Sequence, residues 1–153
     1  MLKKLTVAAF AGVSMLVAAY AQAQERGGVV NVATIGELTT LDPMTATGDL
    51  LGMVTQHFFE TLYTFDKNWN VAPLLAEALP EVSADGKVHT IRLRQGITFH
   101  DGSAMTSEDV VASLKRWLAV ASRGKLVAAN LEKLEAVDDY TIELTLKQPF
   151  APL

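Results

Sequence analysis

The sequence predicts a mixed α/β fold whose strands form a mainly antiparallel sheet, and three patterns lead to this prediction. Apolar and polar side chains alternate from Tyr140 to Lys147, as in a strand with one face exposed to water. Apolar residues from Val110 to Ala121 recur at helical spacing behind a capping motif that begins at Thr106. The stretch from Val29 to Ile35 is rich in β-branched residues and predicts a buried strand.

The first 23 residues have the organisation of a cleaved secretory signal. Lys3 and Lys4 form a short basic segment, an apolar run follows from Leu5 to Ala19, and Ala21-Gln22-Ala23 supplies a signal-peptidase site. The apolar run is shorter than the roughly 20 residues that a membrane-spanning helix needs. We therefore expect export to the periplasm, with cleavage near Ala23 or, as an alternative, two residues earlier.

The composition limits how the exported domain can be stabilised and which classes of partner it can bind. The chain contains no cysteine, so a packed core, rather than disulfides, must stabilise the exported domain. The net charge is −4, and removal of the signal takes away two lysines and no acidic residue. An acidic chain without a basic stretch argues against a nucleic acid or an anionic membrane surface as partner. We expect no membrane insertion after signal cleavage.

The first half of the exported chain is expected to consist of short elements. Apolar spacing predicts a helix between Gly48 and Leu62, and residues 62–65 are expected to be extended. A turn is expected over residues 66–70, which are mostly polar. Pro73 suits the first turn of a short helix that continues to Leu79.

The second half is expected to alternate strands and helices. Residues 83–86 predict a hairpin turn before a strand from Lys87 to Leu93, and residues 100–102 predict another turn. The long helix that starts at Thr106 is expected to end at Arg123-Gly124. A weaker helical segment is expected over residues 126–134.

Five stretches of the sequence carry a family resemblance. They are Leu41-Asp42-Pro43, Glu60-Thr61-Leu62, Pro73-Leu74-Leu75-Ala76, the run from Asp85 through Ile91-Arg92-Leu93-Arg94-Gln95-Gly96-Ile97-Thr98-Phe99-His100-Asp101-Gly102 to Val110, and the segment from Val137 to Phe150. In this order they resemble the N-terminal region of the family 5 extracellular solute-binding proteins, which include the dipeptide, oligopeptide, nickel and glutathione receptors of ABC importers. Family members are several times longer, so the chain resembles a fragment or a truncated reading frame.

The resemblance implies a type II-like periplasmic binding protein of two α/β lobes around a hinge. Residues 24–50 would begin lobe one with its first strand and ligand-side loop, residues 51–148 would form most of an inserted α+β domain, and residues 149–153 would return to the rest of the protein. The resemblance further implies that the receptor binds a peptide or peptide-like small solute without a cofactor. It would deliver that solute to an inner-membrane ABC permease and would be a monomer at full length.

The candidate ligand contacts are Gly36, Glu37, Leu38 and Thr39. They follow the C-terminal end of the predicted first strand, where open α/β sheets place their ligands. In the resembled family this loop approaches the bound peptide, and Glu37 could face a ligand amine. An ordinary surface loop is the alternative interpretation.

The sequence contains no motif that indicates catalysis or a metal site. His100 stands beside Asp101, but no second histidine or cysteine is near, and Asp101-Gly102 predicts a turn. His57 and His89 are isolated and are expected to be structural, and Asp138-Asp139 predicts a turn rather than a cation site. We therefore expect a protein that is not an enzyme and holds no metal.

One other function is compatible with the sequence. An exported interaction domain without a role in transport, or a decayed gene fragment, would lack the ligand cleft. The gene sequence beyond codon 153 distinguishes the receptor from this alternative. An in-frame continuation supports the receptor, and a native stop codon supports the alternative. The isolated chain, with an unpaired first strand, is expected to be poorly soluble or partly unfolded and to bind no peptide.

Overall fold

A computed structural model describes residues 27–150 of the chain. The predicted signal sequence, its cleavage site and residues 151–153 lie outside the described residues. The described part divides between Thr34 and Ile35 into two units, which are considered separately below.

The first unit does not form the strand predicted from Val29 to Ile35. Its described residues, 27–34, have no regular secondary structure, and Val29, Val30 and Val32 are 88%, 84% and 78% exposed. Ile35, at the start of the second unit, is also fully exposed. The prediction of a buried strand is therefore wrong for this chain. A strand needs hydrogen-bonded neighbours and a covering layer, and no residue from Val29 to Ile35 belongs to either described sheet.

The second unit combines helices and strands, as predicted. In chain order its elements are α1 (Asp49–Thr55), β1 (Tyr63–Phe65), β2 (Val71–Pro73), β3 (Glu81–Val82), β4 (Val88–Arg92), α2 (Ser107–Val120), α3 (Ser122–Asn130), β5 (Leu131–Asp138) and β6 (Thr141–Leu146). Strands β1 and β2 form a small antiparallel hairpin. The other four strands form one antiparallel sheet in the order β3-β4-β6-β5. The prediction of a mainly antiparallel sheet is confirmed.

Strand β6 lies inside this sheet and follows the predicted alternation. Ile142, Leu144 and Leu146 are buried, whereas the residues between them are only partly buried. On one side β6 pairs with β4, with Ile91 opposite Ile142, and on the other side it pairs with β5. The predicted hairpin turn before β4 is also present, and Gly86 adopts a φ of 71° there, a conformation that favours glycine.

Helix α2 begins at the predicted capping motif. The carboxylate of Asp109 accepts hydrogen bonds from the Thr106 backbone N–H, at 2.8 Å, and from the Thr106 hydroxyl, at 2.9 Å. Met105 and Val110 flank this cap and are both buried, as expected for a hydrophobic staple. The buried Ser107 ties the start of the helix to the β5–β6 turn, because its N–H donates to the Asp139 carbonyl at 2.8 Å.

Four predicted boundaries are corrected. The first helix ends at Thr55 instead of continuing to Leu62. Pro73 ends strand β2 and lies opposite Tyr63 of β1, so the short helix predicted there does not form. The long helix ends at Val120, because Ala121 adopts an extended backbone conformation. Arg123 and Gly124, where its end was expected, belong to the next helix, α3. Residues 131–134 of the predicted helical segment belong to β5.

The hydrophobic core lies between the large sheet and the helices α2 and α3. Helix α2 packs against β5, β6 and α3. The buried core residues are Ala76, Ile91, Leu93, Met105, Val110, Val111, Leu118, Val127, Leu134, Ile142 and Leu144. Trp117 packs against this cluster, as its position in the apolar stripe predicts. Within residues 27–150 no helix is long and apolar enough to cross a membrane.

Candidate ligand-contact loop

The candidate contact residues lie in one continuous loop at the start of the second unit. We call residues 36–45 the contact loop; it precedes helix α1. Gly36, Glu37 and Thr39 are exposed to solvent, and Leu38 is partly buried. The loop is therefore open to a ligand rather than enclosed in the core. Whether these four residues contact a ligand stays a prediction.

Asp42 organises the second half of this loop. Its carboxylate Oδ1 accepts the backbone N–H of Met44 at 3.0 Å, and its carbonyl accepts the hydroxyl of Thr45 at 3.2 Å. Its own N–H donates to the Thr40 hydroxyl at 3.1 Å. One aspartate therefore fixes the backbone on both sides of Pro43, in the manner of an Asx turn.

A second element of the fold also holds Asp42. Arg116, on helix α2, forms a bidentate ion pair with the Asp42 carboxylate; its Nη1 donates to Oδ1 at 3.1 Å, and its Nη2 donates to Oδ2. The same Nη1 lies 3.0 Å from the Met44 sulfur. The guanidinium holds the pKa of the Asp42 carboxyl below its usual value of 3.8. Sequence reasoning missed this contact, because 74 residues separate the two partners.

Asp42 is one of five aspartates whose pKa lies below the ordinary 3.8, the others being Asp66, Asp85, Asp101 and Asp138. In each, the first cause is a hydrogen bond donated to the carboxylate. The donors, in the same order, are the Arg116 side chain, the Asn70 backbone, the Ser83 side chain, the Ser103 side chain and the Tyr140 backbone.

Because the pKa values of these aspartates are lowered in the folded chain, we expect the chain to lose stability in acid. Because their pKa values are lower in the folded chain, the stabilisation is complete above 3.8, the ordinary value, and is lost as the pH falls through the lower folded values. We expect the melting temperature to change little between neutral pH and about pH 5 and to decrease below about pH 4. Asp85→Asn should make that decline shallower, as calorimetry across this range would show. A melting temperature that is unchanged below pH 4 would contradict the prediction.

A shallow groove on the large sheet is a second concave surface. It is lined by Glu77, Arg92, Leu93, Gln95, Asp138, Asp139, Tyr140 and Thr141. Arg92 pairs with Glu81 at 2.7 Å, and both side chains are more than half exposed. The Asp138 carboxylate accepts the Tyr140 N–H at 2.8 Å, which confirms the turn predicted there. Arg92 and Asp138, two of the charged residues of the groove, therefore make structural contacts.

The other side chains that could act in catalysis or bind a metal also occupy structural positions. Asp101 accepts the N–H and hydroxyl of Ser103 at 2.9 and 2.7 Å, so the turn predicted at this point is confirmed. His89 is buried in β4, whereas His57 is exposed just beyond α1. Among the described residues, no three His, Asp or Glu side chains are arranged to hold a metal ion.

Trp69 is a residue whose environment the sequence could not predict. It lies in the turn between β1 and β2 with a φ of 65°, and it is 81% exposed. Its ring centroid is 5.9 Å from that of Phe65. The carboxylate of Asp66 holds the turn by accepting the N–H groups of Asn68 and Asn70.

Comparison with protein families and curated sequences gives two matches that bear on function. The family model described as bacterial extracellular solute-binding proteins, family 5 Middle, matches residues 70–153. The glutathione-binding protein GsiB of Pectobacterium atrosepticum is 37% identical over 124 residues, which cover 78% of this chain and 24% of that protein. The chain therefore spans about a quarter of the length of this relative.

Solved structures share the fold. The binding protein AgaA from A. tumefaciens R10, in complex with agropinic acid, superposes with a TM-score of 0.65 at 36% identity over 76% of this chain and 24% of its own. OppA from Listeria monocytogenes, bound to peptide, gives a TM-score of 0.60 at 31% identity over 72% of this chain and 25% of its own. The chain thus has the fold of one segment of the type II-like periplasmic binding proteins.

Proposed function

This chain belongs to the bacterial extracellular solute-binding proteins of family 5, and on that premise we propose that it is part of the periplasmic receptor of an ABC importer. The receptor binds a peptide or peptide-like small solute and delivers it to an inner-membrane permease. The match of the family model to residues 70–153 is the observation that carries this proposal. The signal-like N-terminus supports export to the periplasm.

The ligand class follows from what similar proteins bind. GsiB is named for glutathione, the OppA structure holds a peptide, and the AgaA structure holds agropinic acid. Two of these three ligands are peptides. We therefore place the ligand of this receptor among peptides and small peptide-like solutes, and no catalytic step is involved.

The contact loop supplies one wall of the ligand site in this proposal. Gly36, Glu37 and Thr39 are open to solvent, while Asp42 and Arg116 hold the following backbone in place. A loop that is ordered before binding loses less conformational entropy when the ligand arrives. Glu37 brings a negative charge to this wall and is suited to the amino group of a peptide.

Delivery requires a receptor that distinguishes the loaded state from the empty state. Two lobes that close around the ligand provide this distinction, because the ligand shifts the equilibrium only by binding the closed state more tightly than the open state. The permease then recognises the closed form. In this scheme the chain supplies part of the near lobe, and the opposite wall belongs to the rest of the receptor.

Calorimetric titration of the full-length receptor tests this function. The panel is glutathione, di- and oligopeptides, and agropinic acid. We expect one class to bind, and we expect Glu37→Gln to weaken that binding about tenfold, because a hydrogen bond to a charged group is lost. Glu60→Gln, which removes another exposed carboxylate just beyond helix α1, is the matched control and should bind as the unaltered receptor does.

Two results would contradict the proposal. If no member of the panel binds, the receptor function fails, and the exported interaction domain becomes the better interpretation. If a ligand binds and Glu37→Gln and Glu60→Gln weaken binding equally, Glu37 does not face the ligand. Native mass spectrometry of the same samples verifies that each variant is folded and gives the fraction of each variant that carries bound ligand.

A further inference from the structure

The ion pair between Asp42 and Arg116 joins the contact loop to the longest helix among the described residues. Arg116 belongs to α2, whose buried face packs against the large sheet, while the Arg116 side chain is itself 50% exposed. The helix is therefore held rigidly by the core, and its guanidinium reaches out to the loop. The loop is positioned by a group that belongs to a different and better-packed element.

The geometry of this contact is more specific than that of an ordinary surface ion pair. Both guanidinium Nη atoms engage the carboxylate, one oxygen each, which is the fork-to-fork arrangement that fixes orientation as well as distance. Oδ1 of Asp42 accepts the Met44 N–H at the same time. Moving the guanidinium therefore moves a carboxylate that also sets the backbone of the loop.

We propose that Arg116 is a positioning residue of the ligand site: through Asp42 it fixes residues 40–45 of the contact loop and so restrains the adjoining residues, Gly36 to Thr39, that face the ligand. Arg116 acts through Asp42 and does not itself contact the ligand. This inference rests on the proposed function for the identity of the site, but the ordering of the loop by Arg116 is testable without any ligand.

The chain offers variants that separate local order from global stability. Arg116→Met removes the charge and both hydrogen bonds, and Arg116→Lys keeps the charge but cannot make two parallel bonds. Arg123→Met removes a different exposed arginine, on α3, and serves as the matched control. Because partly exposed ion pairs contribute little to global stability, all three variants should melt close to the unaltered receptor.

Hydrogen–deuterium exchange of the ligand-free, full-length receptor is the first measurement. In Arg116→Met, the amides of Met44 and Thr45 should exchange up to about fivefold faster than in the unaltered receptor. Arg116→Lys should fall between the two, and Arg123→Met should leave the loop unchanged. Equal exchange rates at these amides in Arg116→Met and the unaltered receptor would overturn the proposal.

Ligand affinity, measured by calorimetry with whichever member of the panel binds, is the second measurement. Arg116→Met should raise the dissociation constant up to about fivefold, and Arg116→Lys should recover part of the loss, because only the preorganisation of the loop changes. An unchanged dissociation constant beside faster loop exchange would overturn the positioning role. If the unaltered receptor binds nothing, the proposed function fails, whereas the exchange rates still decide whether Arg116 orders the loop.

Discussion

Replacing Gly124 by alanine is expected to destabilise the domain by about 2–3 kcal/mol, a large effect for one added methyl group. A Cβ atom at this buried position would lie 2.2 Å from the carbonyl oxygen of Trp117 and 3.0 Å from the Cα of Leu118. Both are backbone atoms of helix α2, so no side chain can rotate away. The two helices would have to separate, and that would disturb the core between them. The free energy of unfolding, from denaturant titration, measures the effect.

Gly52→Ala is the matched control for this substitution. Gly52 lies in helix α1 and is exposed, and apart from its chain neighbours and the adjoining backbone of that helix no atom lies within 4 Å of the added methyl group. Alanine is favoured over glycine inside a helix by about 1 kcal/mol, so Gly52→Ala should be neutral or stabilising. If Gly124→Ala left the free energy of unfolding equally unchanged, the close packing of the α3 backbone against the α2 backbone at Gly124 would be contradicted.

Ile142→Ala is expected to cost about 2–5 kcal/mol of the free energy of unfolding. Ile142 is fully buried in β6, between Ile91 of β4 and Ala136 of β5 in the sheet register. Truncation leaves a cavity that rigidly paired strands cannot close. The chain has no disulfide to compensate, because it contains no cysteine.

Val137→Ala provides the comparison at an exposed site of the same sheet. Val137 is in β5 and is 57% exposed, so its truncation should change the free energy of unfolding by no more than about 0.5 kcal/mol. Denaturant titration of both variants at one temperature gives the comparison. Similar losses in the two variants would show that β6 does not have the buried face assigned to it.

Elements governed by local chemistry were predictable from the sequence. The Thr106 cap, the turn before β4 and the alternation of β6 each depend on residues close together in the chain, and the structure confirms all three. The family resemblance, carried by motifs spread from Leu41 to Phe150, is confirmed as well. In these places local preference and tertiary packing agree.

Elements governed by tertiary contacts were not predictable in the same way. Strand β5 carries two register shifts, which interrupt the alternation typical of a strand, so the sequence predicts a helix for its first residues. The break at Ala121 arises where α3 turns back closely against α2. The residues from Val29 to Ile35 have strand propensity, but propensity does not supply a neighbouring strand.

Whether the contact loop forms a ligand site stays a prediction. The sequence places it after the strand predicted from Val29 to Ile35, and that strand does not form, so its placement now rests on the family resemblance and on the exposure of Gly36, Glu37 and Thr39. The residue that holds it, Arg116, is an exposed arginine on a helix, and no local signal distinguishes it from Arg123. Only the folded chain brings Arg116 to Asp42, 74 residues away in the sequence.

A crystal structure of the full-length receptor with its ligand tests the central claim most directly. We predict that the ligand lies between two lobes and that at least one of Gly36, Glu37, Leu38 and Thr39 approaches it within about 4 Å. A ligand enclosed elsewhere, with these four residues still facing bulk solvent, would contradict the assignment of the contact loop as a wall of the site.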